Sequence, residues 1–306
     1  MCMRRRKSAH TVILTEYITW QLVIKMNEQK RIEILCATMH QTDFSKYNEM
    51  NINNCDVIYA NQADAFAFDE MKMPENIVKM ITTATTGVGK NRNIALSLAS
   101  GEILLFADDD LQYEPDVAET VNNAFQKYPK AEMMIFGIKY AKDGKVFKQR
   151  MPKTGRLSFF KALRYGTCAI AIRYSAVLKH NLHFTELFGG GCLYSYGEDT
   201  DFVVQCFKKR LKIYSYSAII ATTNKDTSTC FTGYGKKFFF DKGALARHSL
   251  GIMTFPYMIR MARKELESEL CFTEKLKYLW KGYQCFPELI TYDKWITKQN
   301  EKDNYR

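Results

Sequence analysis

The sharpest contrast of apolar and polar positions is Ile103-Leu104-Leu105-Phe106-Ala107 running straight into Asp108-Asp109-Asp110. A short apolar run without polar alternation predicts a strand buried on both faces, as in a parallel sheet. Ile32-Glu33-Ile34-Leu35-Cys36-Ala37 predicts another, exiting into Thr38-Met39-His40-Gln41. Residues 56–60 predict a further strand, exiting into Asn61-Gln62-Ala63-Asp64, and residues 77–81 a short one. Residues 44–54 and 94–99 read as helices between them, and Pro115 opens another that runs to about 128. Residues 133–140 and 145–148 flank Asp143-Gly144, a hairpin signal. Residues 158–165 read as helix, 167–172 as strand and 211–216 as strand. After Gly189-Gly190-Gly191 comes Tyr194-Ser195-Tyr196-Gly197-Glu198-Asp199-Thr200-Asp201, then a helix with Phe202, Val203, Cys206 and Phe207 on one face. The alternation predicts an α/β body whose antiparallel elements join late.

Both ends differ from this body. Val12, Ile13, Tyr17, Trp20, Val23 and Ile24 recur at helical spacing and predict an N-terminal helical extension over residues 1–30. Glu16 and Gln21 interrupt its apolar run, so it is not read as a signal peptide. Beyond Thr222 the chain turns polar, and from Lys236 it is helical, aromatic and basic, with 14 Lys and Arg against 9 Asp and Glu. Three parts result: the extension 1–30, an α/β body 31–225 and a helical, basic region 226–306.

Three acids at a strand exit repel one another at low dielectric. They call either for a hard divalent cation bound through oxygen or for service as a helix cap; the stretch alone leaves both open. Glu198, Asp199 and Asp201 divide similarly, between capping a helix start and supplying a general base under the glycine loop. Gly87-Val88-Gly89-Lys90-Asn91-Arg92-Asn93 is either an anion-holding turn at a helix start or an ordinary glycine turn.

Composition narrows the partners. A net charge of +11 favours anionic ones. None of the nine cysteines pairs at C-x-x-C spacing, so buried free thiols in a reducing cytosol are expected. No apolar run is long enough to span a bilayer. A nucleic-acid-binding protein would concentrate its basic charge in an aromatic-laced stripe. Here the excess is spread out and the acid cluster would repel a phosphate chain, so no nucleic-acid partner is expected.

In their order, Leu35-Cys36-Ala37-Thr38-Met39, Ala60-Asn61-Gln62, Gly87 to Ala95, Phe106-Ala107-Asp108-Asp109-Asp110 and Tyr196-Gly197-Glu198-Asp199-Thr200 resemble glycosyltransferase family 2. Phe240-Asp241-Lys242-Gly243-Ala244 also resembles the bacterial members that build capsular and other surface polysaccharides. The resemblance spans residues 31–245. It implies the GT-A fold, a Rossmann-like mixed sheet between helices with a C-terminal helical appendage. It implies a metal-dependent, inverting transfer of one sugar from a nucleotide-sugar, with a UDP-sugar favoured, to a hydroxyl of a glycan or lipid-linked acceptor. Thr38, Asn61, Gln62, Asp64, Arg92, Asp108 and Asp109 would then line the donor. Asp110, with Asp108, would meet Mg²⁺ or Mn²⁺, and Asp199 would be the catalytic base supported by Glu198. Asn-Gln-Ala-Asp replaces the family's usual Asp-Asp-Gly-Ser, and the Gln-x-x-Arg-Trp of processive synthases is missing, so a non-processive enzyme is expected. Loop 189–197, with four glycines, would close over the donor. The expected location is cytoplasmic, with the basic C-terminal helices able to meet the inner face of an anionic membrane. A sugar nucleotidyltransferase is the competing enzyme, but Thr38-Met39-His40-Gln41 does not supply its glycine-rich basic loop.

Overall fold

The computed structural model describes residues 31–224 and 233–304; the predicted extension 1–30 lies outside them. Element order is β1 (Ile32–Met39), α1 (Ser45–Glu49), β2 (Asp56–Gln62), β3 (Ala67–Lys72), β4 (Ile77–Thr83), α2 (Val88–Leu98), β5 (Ile103–Asp108) and β6 (Leu111–Tyr113). There follow α3 (Val117–Lys127), β7 (Met133–Lys142), β8 (Lys145–Arg150), β9 (Gly155–Arg156), α4 (Phe159–Ala162), β10 (Ile170–Arg173) and α5 (Tyr174–His180). Then come α6 (Glu198–Lys208), β11 (Ile213–Asn224), α7 (Lys236–Ser249), α8 (Thr254–Ala262), α9 (Phe272–Cys285) and α10 (Tyr292–Asn304).

The strands form one eleven-stranded mixed sheet with the path β3-β4-β2-β1-β5-β10-β7-β11-β6. β4, β2, β1 and β5 are parallel neighbours. The side chains of β2, β1 and β5 are buried on both faces, which is why they read as unbroken apolar runs, whereas those of β4 alternate between buried and half-buried. Register sets the site: Thr38 pairs with Asn61, and the preceding Ala37 pairs with Asp108. The polar exits of three parallel strands therefore end side by side, at the edge where open α/β sheets collect ligands.

Two strands depart from the predicted pattern. β3 is an exposed antiparallel edge strand, and Ala-Phe-Asp-Glu-Met-Lys carries no period-2 signal because neither face is buried. β11 runs to Asn224 rather than stopping near 216, because register shifts between Ser215 and Ala221 absorb a bulge and let pairing with β7 resume. The Asp143-Gly144 hairpin forms as predicted, with both residues at positive φ (50° and 71°).

The C-terminal helices build an apolar core of their own around Phe238, Phe239, Tyr257, Met258 and Leu279, joined to the sheet-bearing body through Val204 of α6. α7 and α9 cross with backbones touching. A Cβ on Gly243 would sit 1.9 Å from the Leu279 carbonyl oxygen, and one on Gly282 would sit 1.8 Å from that of Phe240. Neither obstacle is a side chain that could swing away. Gly282→Ala should therefore force the helices apart and destabilise the protein by about 1–3 kcal/mol, the range for overpacking. Chemical denaturation checks this; an unchanged midpoint would mean that the crossing is looser than its geometry.

Candidate active site

Thr38, at the end of β1, donates its hydroxyl to the Asp109 carboxylate. Asp108 ends β5, and its Oδ1 lies 2.7 Å from the Arg92 guanidinium while Oδ2 accepts the Cys168 thiol at 3.2 Å. Asp110 turns the other way, and its Oδ2 accepts the Thr223 hydroxyl of β11 at 2.9 Å. The three acids thus face three different partners, and among the described residues only Asp108 forms a salt bridge.

Arg92 is the centre of this arrangement. Its side chain is 3% exposed, and its second nitrogen meets Glu198 Oε1 at 3.2 Å, at the first turn of α6. The guanidinium lies over the Phe184 ring, 5.4 Å from the centroid, within an aromatic cluster with Phe106 and Phe202. Burial opposes its charge, but Asp108 and Glu198 more than offset this and hold it above its ordinary range. Residues 92, 108 and 198, far apart in the chain, thereby become one buried bridge between a strand exit and a helix start.

The acids of α6 divide their labour. Glu198 is spent on Arg92; burial first, and Asp199 beside it, push its carboxyl up. Asp201 is buried against the Ser249 hydroxyl and the Gln205 amide, and ties α6 to α7. Among the described residues Asp199 forms no salt bridge. Its Oδ1 accepts the Thr200 amide at 2.6 Å, and Oδ2 faces Gly166, where a built Cβ would be 3.7 Å away.

The other candidates sort by burial. Asn61 is fully buried and satisfied: its Oδ1 accepts the Gln41 amide at 2.9 Å, and its Nδ2 donates to the Gln41 carbonyl and to Thr82. It shapes the loop after β1. Gln62 donates to the Gly87 carbonyl at 3.2 Å, and Asp64 stands exposed in the loop after β2.

The two glycine segments meet each other, which favours the ordinary-turn reading of the first. The amides at the start of α2 are not free for an anion: Val88 N–H goes to the Gly190 carbonyl at 2.9 Å, and the Cys192 sulfur faces Val88 and Gly89 N–H. Loop 189–197 is packed rather than a loose lid. Gly189 N–H donates to the Tyr194 carbonyl, Tyr194 N–H donates to the Leu187 carbonyl, and Tyr194 is buried with its ring stacked on Phe188 at 5.0 Å. Its glycines serve tight backbone approach, as where a Cβ on Gly191 would press on Gly87 N at 3.1 Å. Sequence reasoning missed Cys168 and Thr223. Cys168 carries no pattern, whereas the polar tail Thr222-Thr223-Asn224 on an apolar strand was a usable signal.

Among the described residues no three His, Cys, Asp or Glu side chains are grouped to hold a metal. Burial first, then the neighbouring Asp108, raise the Asp110 carboxyl to about 6, against a smaller opposing pull from Thr223. A buried acid short of positive charge does not fit an all-protein metal cage. It does fit a hard cation held by one carboxylate and completed by a ligand's phosphates, as Mg²⁺ is commonly bound.

Known proteins agree with this architecture. No curated protein sequence matches the chain. Crystal structures of residues 1–349 of TarS from S. aureus superpose with a TM-score of 0.51 at 14% identity, covering 83% of this chain and 70% of that one. The same match holds for its complexes with UDP-GlcNAc and with UDP, at 71% of that chain. The sequence model of Glycosyl transferase family 2 matches residues 60–182, a stretch that includes Arg92 and all three strand-exit acids. Residues 60–182 thus match the model of Glycosyl transferase family 2, and the mixed sheet between helices has the GT-A-like fold of the TarS fragment.

Proposed function

We propose that the protein is an inverting, metal-dependent, non-processive glycosyltransferase that moves one sugar from a UDP-sugar to a hydroxyl of a glycan or lipid-linked acceptor, in surface polysaccharide synthesis. The observation that carries this reading is the Arg92 bridge, which fixes the acid-bearing exit of β5 beside the Asp199-bearing start of α6. The UDP-GlcNAc complex of the TarS fragment supports the choice of donor.

In this reading Thr38, Gln62 and Asp64 flank the base and ribose, and Asn61 and Arg92 keep their surroundings in shape. Asp109 stands over the sugar-phosphate side, anchored by Thr38. Asp110, with Asp108, would hold Mg²⁺ or Mn²⁺, which would supply Lewis-acid neutralisation of the leaving diphosphate. Asp199 takes the proton of the acceptor hydroxyl as the oxygen attacks the anomeric carbon from the side opposite the diphosphate. One displacement inverts that carbon, so no second carboxylate nucleophile is required. The body over residues 31–225 binds both the nucleotide-sugar and the acceptor, and the helical, basic region 226–306 is appended to it.

Sugar release from UDP-GlcNAc with Mn²⁺ tests the proposal, and so does the metal's own binding. A proton and a metal compete for Asp110, whose carboxyl titrates near 6. The rise in melting temperature caused by Mn²⁺ with UDP should be a few degrees at pH 7.5 and fade as pH falls through 6. Asp110→Asn should abolish it. An equal shift at pH 5, or in the variant, would remove Asp110 as the ligand.

No described helix is long and apolar enough to cross a membrane. We assign peripheral contact with an anionic membrane to the exposed aromatic face of α8 and α9. There Phe255 stacks near Trp280 at 6.1 Å and Arg247 lies over Tyr283 at 4.8 Å. Apolar rings beside a basic rim match an anionic interface. The protein should sediment with vesicles containing phosphatidylglycerol at low salt, and Phe255→Ser/Trp280→Ser should stay in the supernatant; equal sedimentation would refute the assignment.

A further inference from the structure

Asp110 is held by a strand end that the proposed chemistry does not use. Thr223, near the end of β11, donates its hydroxyl to Asp110 Oδ2 at 2.9 Å, and the next residue, Asn224, donates its N–H to the Asp110 carbonyl at 3.3 Å. Thr223 stands opposite Leu111 in the antiparallel pairing of β11 with β6. The Asn224 bond already closes that ladder, so the hydroxyl bond is an addition to the sheet and not a part of it. Its direction depends on an irregularity earlier in the strand. Ser215 pairs with Ile135 and Ala221 with Ile138, so β11 carries three residues more than β7 over that interval. Gly137 of β7 leaves the room: a Cβ there would meet Ile219 Cδ1 at 2.7 Å and the Ala218 carbonyl oxygen at 3.0 Å. An odd surplus turns the faces of a strand over. Without it Thr223 would present its side chain to the other face of the sheet, away from Asp110.

The kind of hydrogen-bond donor matters. Arg92 both orients Asp108 and neutralises it. Thr223 meets Asp110 with a neutral O–H, which fixes one oxygen and leaves the negative charge for a cation that has still to arrive. A carboxylate that ligates a metal is oriented by hydrogen bonds of this kind. We infer that Thr223 is a positioning residue for the divalent metal: it holds the Asp110 carboxylate in the orientation that takes Mg²⁺ or Mn²⁺, and it acts on the nucleotide only through that metal. The inference rests on Asp110 being the metal ligand.

The test uses the full chain and measures UDP binding over a series of Mn²⁺ concentrations and with chelator, for wild type, Thr223→Val, Thr223→Ser and Asp110→Asn. Thr223→Val keeps the shape of the side chain and loses the hydroxyl. It should need about tenfold or more Mn²⁺ to reach half of its UDP binding, the scale for losing a group that orients a metal ligand. With chelator its UDP affinity should equal that of wild type, because the hydroxyl acts through the metal. Thr223→Ser, which keeps the hydroxyl, should restore the wild-type Mn²⁺ requirement. A loss in Thr223→Val that is equal with Mn²⁺ and with chelator would show that Thr223 only supports the fold, and overturns the inference. A wild-type Mn²⁺ requirement in Thr223→Val beside an impaired Asp110→Asn overturns the inference and leaves Asp110 as the ligand. A wild-type requirement in Asp110→Asn overturns both.

Discussion

Asp199→Asn should transfer sugar roughly a hundred- to ten-thousand-fold more slowly than wild type, the range for removing a general base, while binding UDP with Mn²⁺ as before. Asp199 is the acid of the α6 start that the fold leaves without a job. Glu198 is spent on Arg92, and Asp201 is spent on Ser249 and Gln205. Its bond to the Thr200 amide fixes the carboxylate, and an amide in its place keeps the size while losing the basicity. The parallel variant Glu198→Gln should behave differently. It weakens the grip on Arg92 and should lower stability along with rate. Comparing kcat with melting temperature for the two variants separates the roles; equal rate losses with no change in either melting temperature would erase the distinction.

Arg92→Met is expected to destabilise the protein by about 3 kcal/mol, the lower end of the range for breaking a buried ion pair. The lower end applies because Asp108 is 42% exposed and water can take over part of the lost charge, whereas Glu198 is 17% exposed and cannot recover as much. Arg92→Lys should recover only part of the loss. A single ammonium cannot hold two carboxylates in the forked geometry that the guanidinium gives Asp108 at 2.7 Å and Glu198 at 3.2 Å. The Phe184 face would also lose its planar partner. Because the bridge positions both halves of the site, UDP affinity and transfer rate should fall with stability in both variants. Denaturant unfolding of the three proteins checks the ranking. A lysine variant as stable as wild type would show that the bridge is electrostatic without geometric demand.

The parallel strands were legible in the chain because burial on both faces leaves no polar alternation, and their exits were legible because small polar and acidic residues follow at once. Thr38, Asn61, Asp108 and Asp109 do end side by side, as the pattern implied. What each does there was not legible. Asn61 looks like a ligand contact in sequence, yet both ends of its amide are consumed by Gln41 and Thr82. Arg92 reads as a donor-facing cation, and only the fold reveals that two carboxylates, one of them more than a hundred residues away in the chain, surround it. The glycine turn at 87–89 and the glycine loop at 189–191 each suggested its own function, an anion cradle and a lid. In space they are halves of one contact, Val88 N–H to the Gly190 carbonyl, which satisfies the first and pins the second. Pairings of this kind depend on tertiary approach, and no local pattern encodes them. β3 escaped notice for the opposite reason: an edge strand with both faces wet has no hydrophobic period to read.

The central claim is that the exit of β5 binds a nucleoside diphosphate through a metal held by Asp110. Calorimetric titration of UDP into wild type and Asp110→Asn, each with Mn²⁺ and with chelator, tests it most directly. Wild type should bind UDP with Mn²⁺ and lose at least about tenfold in affinity without it, one step of the affinity scale, while Asp110→Asn should be weak under both conditions. Equal UDP affinity in all four titrations would contradict it.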